Sequence, residues 1–167
     1  RWITVRADNC LTAEGVSVSP YYILEYPDWV HMVVLDQKQR ILITRQYRHG
    51  VRSVVSELPC GTIEPSDAGP LEAAQRELME ETGYGGIFTL VGKTFSNPGI
   101  NTNYIYVYLV TSPVRVMKPK QNPTEMLEYK FMNLKSVLKS IDQNKFAQAL
   151  HISSLFLALR KKFISGL

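Results

Sequence analysis

Cysteine is scarce in this sequence of 167 residues, which contains only Cys10 and Cys60. Two cysteines are too few for a disulfide framework, and this pair lacks the spacing of a metal site. No charged segment followed by an apolar leader opens the sequence, so secretion is not favoured. We therefore expect the protein in the reducing cytoplasm.

Long apolar runs are also missing, because no stretch approaches the 18 residues of a membrane-spanning helix. We see no basic stripe with interleaved aromatics, so neither a membrane nor nucleic acid is an expected partner. The net charge is only +4, from 19 basic and 15 acidic residues, and suits an anionic small substrate. A composition of 45% hydrophobic and 20% charged residues excludes a disordered or collagen-like chain.

The hydrophobic patterns predict a mixed α/β or α+β fold in one domain over residues 1–167. We predict strands in residues 2–18 (a pair turning near 12–15), 21–26, 29–35, 40–47, 88–95, 104–110 and 128–133. We predict helices from 70 to about 82, where glycines at 83, 85 and 86 stop the helix, and over 134–141 and 145–163. The strands at 29–35 and 40–47 read as a hairpin, and 61–69 as a loop.

Two charge clusters are candidates for a site. Four arginines fall within thirteen positions, at 40, 45, 48 and 52, and four glutamates within ten, at 72, 77, 80 and 81. The ordinary interpretation of such clusters is a solvated face. The alternative is a site in which arginines hold anionic groups and carboxylates hold a cation.

Glu77, Glu80 and Glu81 lie at positions i, i+3 and i+4 of the helix that begins near Pro70. This spacing places three carboxylates on one helix face, where like charges repel, so stability alone does not favour the arrangement. Carboxylate oxygens are hard ligands suited to Mg²⁺ or Mn²⁺. The glycine-bearing loop before the helix could supply a backbone carbonyl. An exposed acidic face partnered by arginines remains the alternative.

The segment from Gly61 to Tyr84 resembles the Nudix box of the Nudix hydrolases. The string RELMEETGY at 76–84 matches the second half of that motif at every fixed position. The first half departs twice, because Asp67 stands where glutamate is usual and eight residues rather than seven separate it from Arg76. Either Asp67 or Glu72 could then pair with Arg76.

Further strings resemble the ADP-ribose pyrophosphatase branch of this family: RQYR at 45–48, ELPCG at 57–61, SNPG at 96–99 and EMLE at 125–128. The resemblance covers most of residues 29–135. It implies a Nudix-type α/β/α sandwich with a mixed sheet over 29–167, preceded by antiparallel strands in 1–28. Relatives in this branch are dimers that exchange such strands, so the resemblance also implies a homodimer.

The resemblance assigns the metal, Mg²⁺ or Mn²⁺, to Glu77, Glu80, Glu81 and the carbonyl oxygen of Cys60. Arg76 would orient this cluster by hydrogen bonding. Glu125 matches the general base of the branch, and Glu128 is the reserve candidate. The catalytic set is therefore Glu125, Glu81 and Arg76.

The substrate-binding candidates lie outside the helix. Arg48 is the first choice for a phosphate contact, because a guanidinium can bind phosphate oxygens through two parallel hydrogen bonds. Arg45 either joins it or pairs with a neighbouring carboxylate, for which Glu57 is the candidate. Aromatic residues near the N-terminus could stack on a base, although aromatics in strands more often lie in a core or an interface: Trp2, Tyr21 and Tyr22. The three histidines, at 31, 49 and 151, show no ligand spacing, and we expect core or surface roles for them.

The resemblance implies Mg²⁺-dependent hydrolysis of the diphosphate linkage of ADP-ribose or a related nucleoside diphosphate sugar, giving a nucleoside monophosphate and a sugar phosphate. Two alternatives stay open. One is a Nudix hydrolase of another diphosphate, such as a nucleoside triphosphate, a dinucleotide or capped RNA. The other is a Nudix-fold module that senses a nucleotide without cleaving it, which the presence of all three helix carboxylates disfavours.

Overall fold

The computed structural model describes residues 2–120 and 127–161 of the chain. Its strands are β1 (Thr4–Leu11), β2 (Ser17–Glu25), β3 (Trp29–Val34), β4 (Ile41–Arg48), β5 (Ser53–Glu57), β6 (Cys60–Thr62), β7 (Tyr84–Phe95), β8 (Tyr104–Arg115) and β9 (Leu127–Met132). Its helices are α1 (Pro70–Thr82), α2 (Leu134–Asp142) and α3 (Ala149–Arg160). No helix within these ranges is long and apolar enough to cross a membrane.

The strands form three sheets. The largest has four strands in the order β6-β3-β8-β7, and it is mixed, because β3 runs parallel to β8 while its other pairs are antiparallel. A second, antiparallel sheet has the order β5-β4-β9. β1 and β2 form a separate antiparallel hairpin, and an isolated bridge joins Leu24 of β2 to Asn101.

The side chains of β3 alternate between two cores, one on each face of the four-stranded sheet. Val33 packs against Val137 of α2 and Leu155 of α3 on one face. Met32 packs against Leu78 of α1 on the other. All five side chains are buried, and each such burial contributes about 1.5–3 kcal/mol. This layering confirms the predicted α/β/α sandwich with a mixed sheet.

Helix α1 begins and ends as its local sequence predicts. Pro70 occupies the first turn, where its missing N–H is not needed. Gly83 ends the helix with φ of 74°, and its N–H donates to the Met79 carbonyl oxygen. A Cβ at Gly83 would lie 2.2 Å from the Met117 carbonyl oxygen, so both the positive φ and the close contact require glycine. The chain after β8 therefore lies against the C-terminal turn of α1.

The predicted hairpin at 29–47 is wrong. β3 and β4 belong to different sheets, and an isolated bridge between Leu35 and Ile41 joins them. The polar turn itself forms, because the Asp36 carboxylate accepts the N–H groups of Lys38 and Arg40. β3 pairs instead with β8 over its whole length, a long-range choice that local turn chemistry does not reveal.

Other boundaries also differ from the prediction. β2 runs unbroken from Ser17 to Glu25, so the N-terminal region has two strands rather than three. β5 and β6 were not predicted, and the expected loop at 61–69 begins inside β6. Gly86 lies within β7 instead of ending a helix. A Cβ there would lie 2.8 Å from the Thr111 carbonyl oxygen of β8, so the close approach of the two strands requires glycine. α3 begins at Ala149 rather than at 145.

Candidate active site

A cleft of about 1580 Å³ runs along α1 and the strands β4, β5 and β6. It is lined by nine of the residues predicted for the site: Trp2, Arg45, Arg48, Glu57, Cys60, Arg76, Glu77, Glu80 and Glu81. Tyr21 does not line it, and its hydroxyl donates instead to the Gly99 carbonyl oxygen. Glu125 lies outside the described residues. The fold therefore gathers most of the predicted site on one surface.

The carboxylates of α1 are bonded to the backbone of β6. Glu77 Oε1 accepts the Thr62 N–H at 3.3 Å, and Glu81 Oε2 accepts the Cys60 N–H at 3.3 Å. Gly61 lies between these two donors. A Cβ at this position would lie 2.0 Å from Glu77 Cδ, so only a glycine leaves the Glu77 carboxylate its place.

Burial and mutual repulsion govern the charges of this face. Burial raises the pKa of Glu81 well above its usual range, and the charge of Glu77 raises it further. Burial also raises the pKa of Glu77, while Arg76 opposes that rise. Two carboxylates held close together away from water favour a nearby cation, because a positive charge relieves both effects.

Arg76 joins the loop before α1 to the carboxylates on it. Its Nε and Nη2 each lie 2.9 Å from an oxygen of Asp67, a carboxylate whose side chain is only 3% exposed. Its Nη1 contacts Glu77 at 2.9 Å and Glu80 at 3.3 Å, and Nη2 also donates to the Thr62 carbonyl oxygen at 2.9 Å. The hydrogen bonds from Arg76 lower the pKa of Asp67.

Asp67, not Glu72, is thus the partner of Arg76. The additional residue in this loop is accommodated before the helix, where Gly69 adopts an extended backbone and Pro70 begins α1. Glu72 turns back to accept the Ala68 N–H. The shorter aspartate side chain therefore reaches Arg76 through two parallel hydrogen bonds despite the altered spacing.

The predicted pairing of Arg45 with Glu57 is wrong. Glu57 is buried and accepts from Arg48, with Nη2 at 2.7 Å and Nε at 3.0 Å from Oε2. Arg45 contacts Glu128 at 3.3 Å on the exposed side of β4. The reason is strand alternation: Thr44 lies opposite Glu57, so Arg48, four residues on, shares its face while Arg45 faces the other way.

His31 and His151 also line the cleft. From the sequence alone, only core or surface roles were expected for these two histidines. Their rings stack with centroids 4.1 Å apart. Burial lowers the pKa of His31 to about 3 and also lowers that of His151, so both are neutral. Their distance apart in sequence and their lack of ligand spacing give no signal that would have found them.

The donor set of α1 fits a divalent metal. Within residues 2–120 and 127–161, no three histidine, cysteine or carboxylate side chains close into a metal cage. Mg²⁺ rarely uses such a cage and is usually held by one or two carboxylates together with substrate phosphates and water. An open row of carboxylates along a cleft supplies that arrangement.

Comparison with known proteins agrees with the fold. The family model that describes the NUDIX domain matches residues 25–151 of this chain. The ADP-ribose pyrophosphatase of Bacillus subtilis (strain 168) is 25% identical over 130 residues, which cover 76% of this chain and 69% of that protein. The ADP-ribose pyrophosphatase of Saccharomyces cerevisiae is 38% identical over 109 residues, covering 64% and 42%.

A solved structure supports the fold independently. The crystal structure of an ADP compounds hydrolase superposes with a TM-score of 0.83, covering 96% of this chain and 86% of that chain at 24% identity. The domain match spans most of the chain, and the carboxylates and arginine of the matched motif meet in the cleft. The protein is therefore a member of the Nudix family of hydrolases.

Proposed function

We propose that this hydrolase cleaves the diphosphate linkage of ADP-ribose or a related nucleoside diphosphate sugar, with Mg²⁺ or Mn²⁺, to a nucleoside monophosphate and a sugar phosphate. The observation that carries the proposal is the placement of the α1 carboxylates and Arg48 in one cleft. Carboxylates there can hold a metal beside a guanidinium that can hold phosphate. The relatives named ADP-ribose pyrophosphatase support this substrate class.

Glu77, Glu80 and Glu81, with the Cys60 carbonyl oxygen, would hold the metal. When bound, the metal neutralises the diphosphate, polarises its oxygens and lowers the pKa of an attacking water. Arg76 contacts both Glu77 and Glu80 and thereby restrains their carboxylates. The protein's contribution to such a transfer is chiefly positioning and charge neutralisation.

Arg48 is the proposed phosphate contact. Its two hydrogen bonds to the buried Glu57 fix the guanidinium plane, while 42% of the side chain remains exposed toward the cleft. Trp2 also lines the cleft and is largely exposed, so it is the proposed stacking partner for a base. Arg45 lines the cleft from the opposite face of β4 and is a secondary candidate.

Glu125 is the proposed general base, and it lies outside the described residues. The preceding chain is anchored on the metal-binding helix, because the Lys120 N–H donates to the Glu80 carbonyl oxygen at 2.9 Å. Lys120 itself lines the cleft. A carboxylate at the cleft could accept the proton of an attacking water. Glu128, the reserve candidate, is engaged with Arg45.

A Gly61→Ala substitution tests the carboxylate geometry. The added Cβ would overlap the Glu77 carboxylate and displace it, so we expect turnover to fall by up to about 100-fold, the effect of a misplacement of about 1 Å. Gly50→Ala is the matched control, because a Cβ there meets nothing within 4 Å. Steady-state kinetics and melting temperatures of both variants check the prediction. Equal turnover in the two variants would contradict it.

We also propose that residues 29–167 form the catalytic core and that residues 1–28 join two copies into a homodimer. The hairpin β1–β2 and the residues next to its strands expose apolar side chains that a monomer leaves uncovered: Ile3, Val5, Leu11, Val16, Val18, Tyr21 and Tyr22. Such a patch marks an interaction surface. Both cysteines are free thiols, which suits the proposed cytoplasmic location.

The dimer should dissociate when its apolar face becomes charged. Val5 pairs with Leu24, and Ala7 pairs with Tyr22, so Val5 and Tyr22 lie on one face of the hairpin. We expect a Val5→Asp/Tyr22→Asp protein to sediment as a monomer and the parent as a dimer. Phe156→Asp, at an exposed site on α3, is the control and should remain dimeric. A monomeric parent chain in sedimentation velocity would overturn this proposal.

The substrate class is tested by a panel assayed with Mg²⁺. It comprises ADP-ribose, GDP- and UDP-sugars, NADH, diadenosine polyphosphates, nucleoside triphosphates and capped RNA. We expect the highest kcat/KM for ADP-ribose or another nucleotide sugar. Turnover of triphosphates or capped RNA alone would contradict the proposed substrate class and assign the protein to hydrolases of those substrates. The proposed metal site would be unaffected by that result.

A further inference from the structure

A two-residue link, Leu58-Pro59, joins the two sheets that build the cleft. β5 ends at Glu57 in the three-stranded sheet, and β6 begins at Cys60 in the four-stranded sheet. The Glu57 carboxylate forms an ion pair with Arg48, and the Cys60 N–H donates a hydrogen bond to the Glu81 carboxylate. The link therefore sets where the phosphate-binding arginine lies relative to the metal-binding carboxylates.

This link has a single backbone donor, because Pro59 has no N–H. Leu58 is fully buried, so its N–H needs an acceptor within the protein. That acceptor is Nδ1 of His151, at 2.9 Å. On the other side, the Pro59 carbonyl oxygen accepts the Met32 N–H at 2.9 Å. The link is thus held between β3 and α3.

His151 is itself firmly positioned. Its side chain is only 2% exposed, and its ring stacks on His31. His31 Nδ1 lies 2.9 Å from Ser154 Oγ, whose hydroxyl donates to the Leu150 carbonyl oxygen. Because Nδ1 of His151 accepts a hydrogen bond, its proton is on Nε2, which lies 4.0 Å from Glu57 Oε1. One imidazole of helix α3 therefore accepts the Leu58 N–H and also lies beside the Glu57 carboxylate.

We propose that His151 is a positioning residue for hydrolysis, which fixes the Leu58-Pro59 link so that Arg48 and the Cys60 backbone face the carboxylates of α1. The inference rests on the proposed function for the identity of the reaction. An apolar side chain of similar size could fill the same volume, but it would leave the buried Leu58 N–H without an acceptor. That difference separates a positioning role from core packing.

Two substitutions of His151 discriminate between these roles. Asparagine can place its amide oxygen where Nδ1 lies, whereas glutamine places its amide where Nε2 lies. We expect His151→Asn to retain turnover within a few-fold, and His151→Gln and His151→Phe to lose about 10- to 100-fold in kcat/KM and in Mn²⁺ affinity, as for other residues that orient metal ligands. Mn²⁺ binding, followed by electron paramagnetic resonance, is read out without substrate. Leu155→Ala is the control, because it disturbs the same core but keeps the acceptor.

The hydrogen bond itself can be measured in the parent protein. We expect a through-hydrogen-bond ¹⁵N–¹⁵N coupling between the Leu58 amide and His151 Nδ1, and slow exchange of that amide in the parent and in His151→Asn. Absence of the coupling, or equal losses in the asparagine, glutamine and Leu155→Ala proteins, would overturn the inference. If the parent shows the coupling and binds Mn²⁺ but cleaves no nucleotide sugar, the proposed function fails and the positioning of the link stands.

Discussion

A Glu81→Gln protein should lose about three orders of magnitude in turnover and yet melt at a higher temperature than the parent in the presence of a chelator. Turnover falls because a metal ligand contributes several kcal/mol to stabilisation of the transition state, and about 1.4 kcal/mol corresponds to a factor of ten. Stability rises because burial and the charge of Glu77 raise the pKa of Glu81, so its ionised form is costly at neutral pH. Glutamine removes that charge and can still accept the Cys60 N–H.

Glu72→Gln is the matched control for this prediction. Glu72 lies on the same helix but caps the preceding loop at Ala68, away from the cleft lining. Its substitution should leave kcat within a few-fold of the parent. Kinetics and thermal melting with a chelator measure both quantities. A Glu81→Gln protein that keeps its turnover would contradict the metal-binding interpretation of α1. One that melts below the parent would contradict the stated cost of the buried Glu81 charge.

Arg76→Ala should lower the free energy of unfolding by about 3 kcal/mol and turnover by about 100-fold. The stability falls because Asp67, with a side chain only 3% exposed, loses the partner of its two parallel hydrogen bonds. Turnover falls because Glu77 and Glu80 lose their shared contact. Urea titration and steady-state kinetics measure the two effects. Arg76→Lys should recover little of either, because an ammonium cannot reproduce the planar pair of bonds.

A double-mutant cycle with Asp67→Asn isolates the pair. If Asp67 occupies the role of the usual box glutamate, the losses in the two single variants will sum to more than the loss in the double variant, because each removes the same interaction. Glu72→Gln combined with Arg76→Ala serves as the comparison and should be additive. Additivity between Arg76 and Asp67 would mean that the observed contact contributes little.

Local signals were sufficient to predict α1 and the face that carries its carboxylates. Pro70 and Gly83 mark its ends, and the spacing of Glu77, Glu80 and Glu81 puts all three on one face, so no knowledge of distant contacts was needed. The choice between Asp67 and Glu72 could not be made this way. It depends on how the longer loop folds back onto Arg76, which the sequence pattern does not show.

Non-local pairing caused the other failures. The turn at Asp36 predicted a hairpin, but β3 pairs with β8, which lies far from it in the sequence. Without β5 in the prediction, the face of β4 that Glu57 lies against was unknown, and Arg45 was chosen over Arg48 as the partner of Glu57. His151 reaches Leu58 only after α3 packs on the sheets, so its role required the assembled core.

The most direct test is ³¹P nuclear magnetic resonance of ADP-ribose incubated with the parent protein and Mg²⁺. The account predicts that the diphosphate signals give way to two phosphomonoester signals, those of AMP and ribose 5-phosphate. It also predicts that a chelator and the Glu81→Gln substitution each stop the conversion. Diphosphate signals that persist under these conditions, from ADP-ribose and from every other nucleotide sugar tried, would contradict the account.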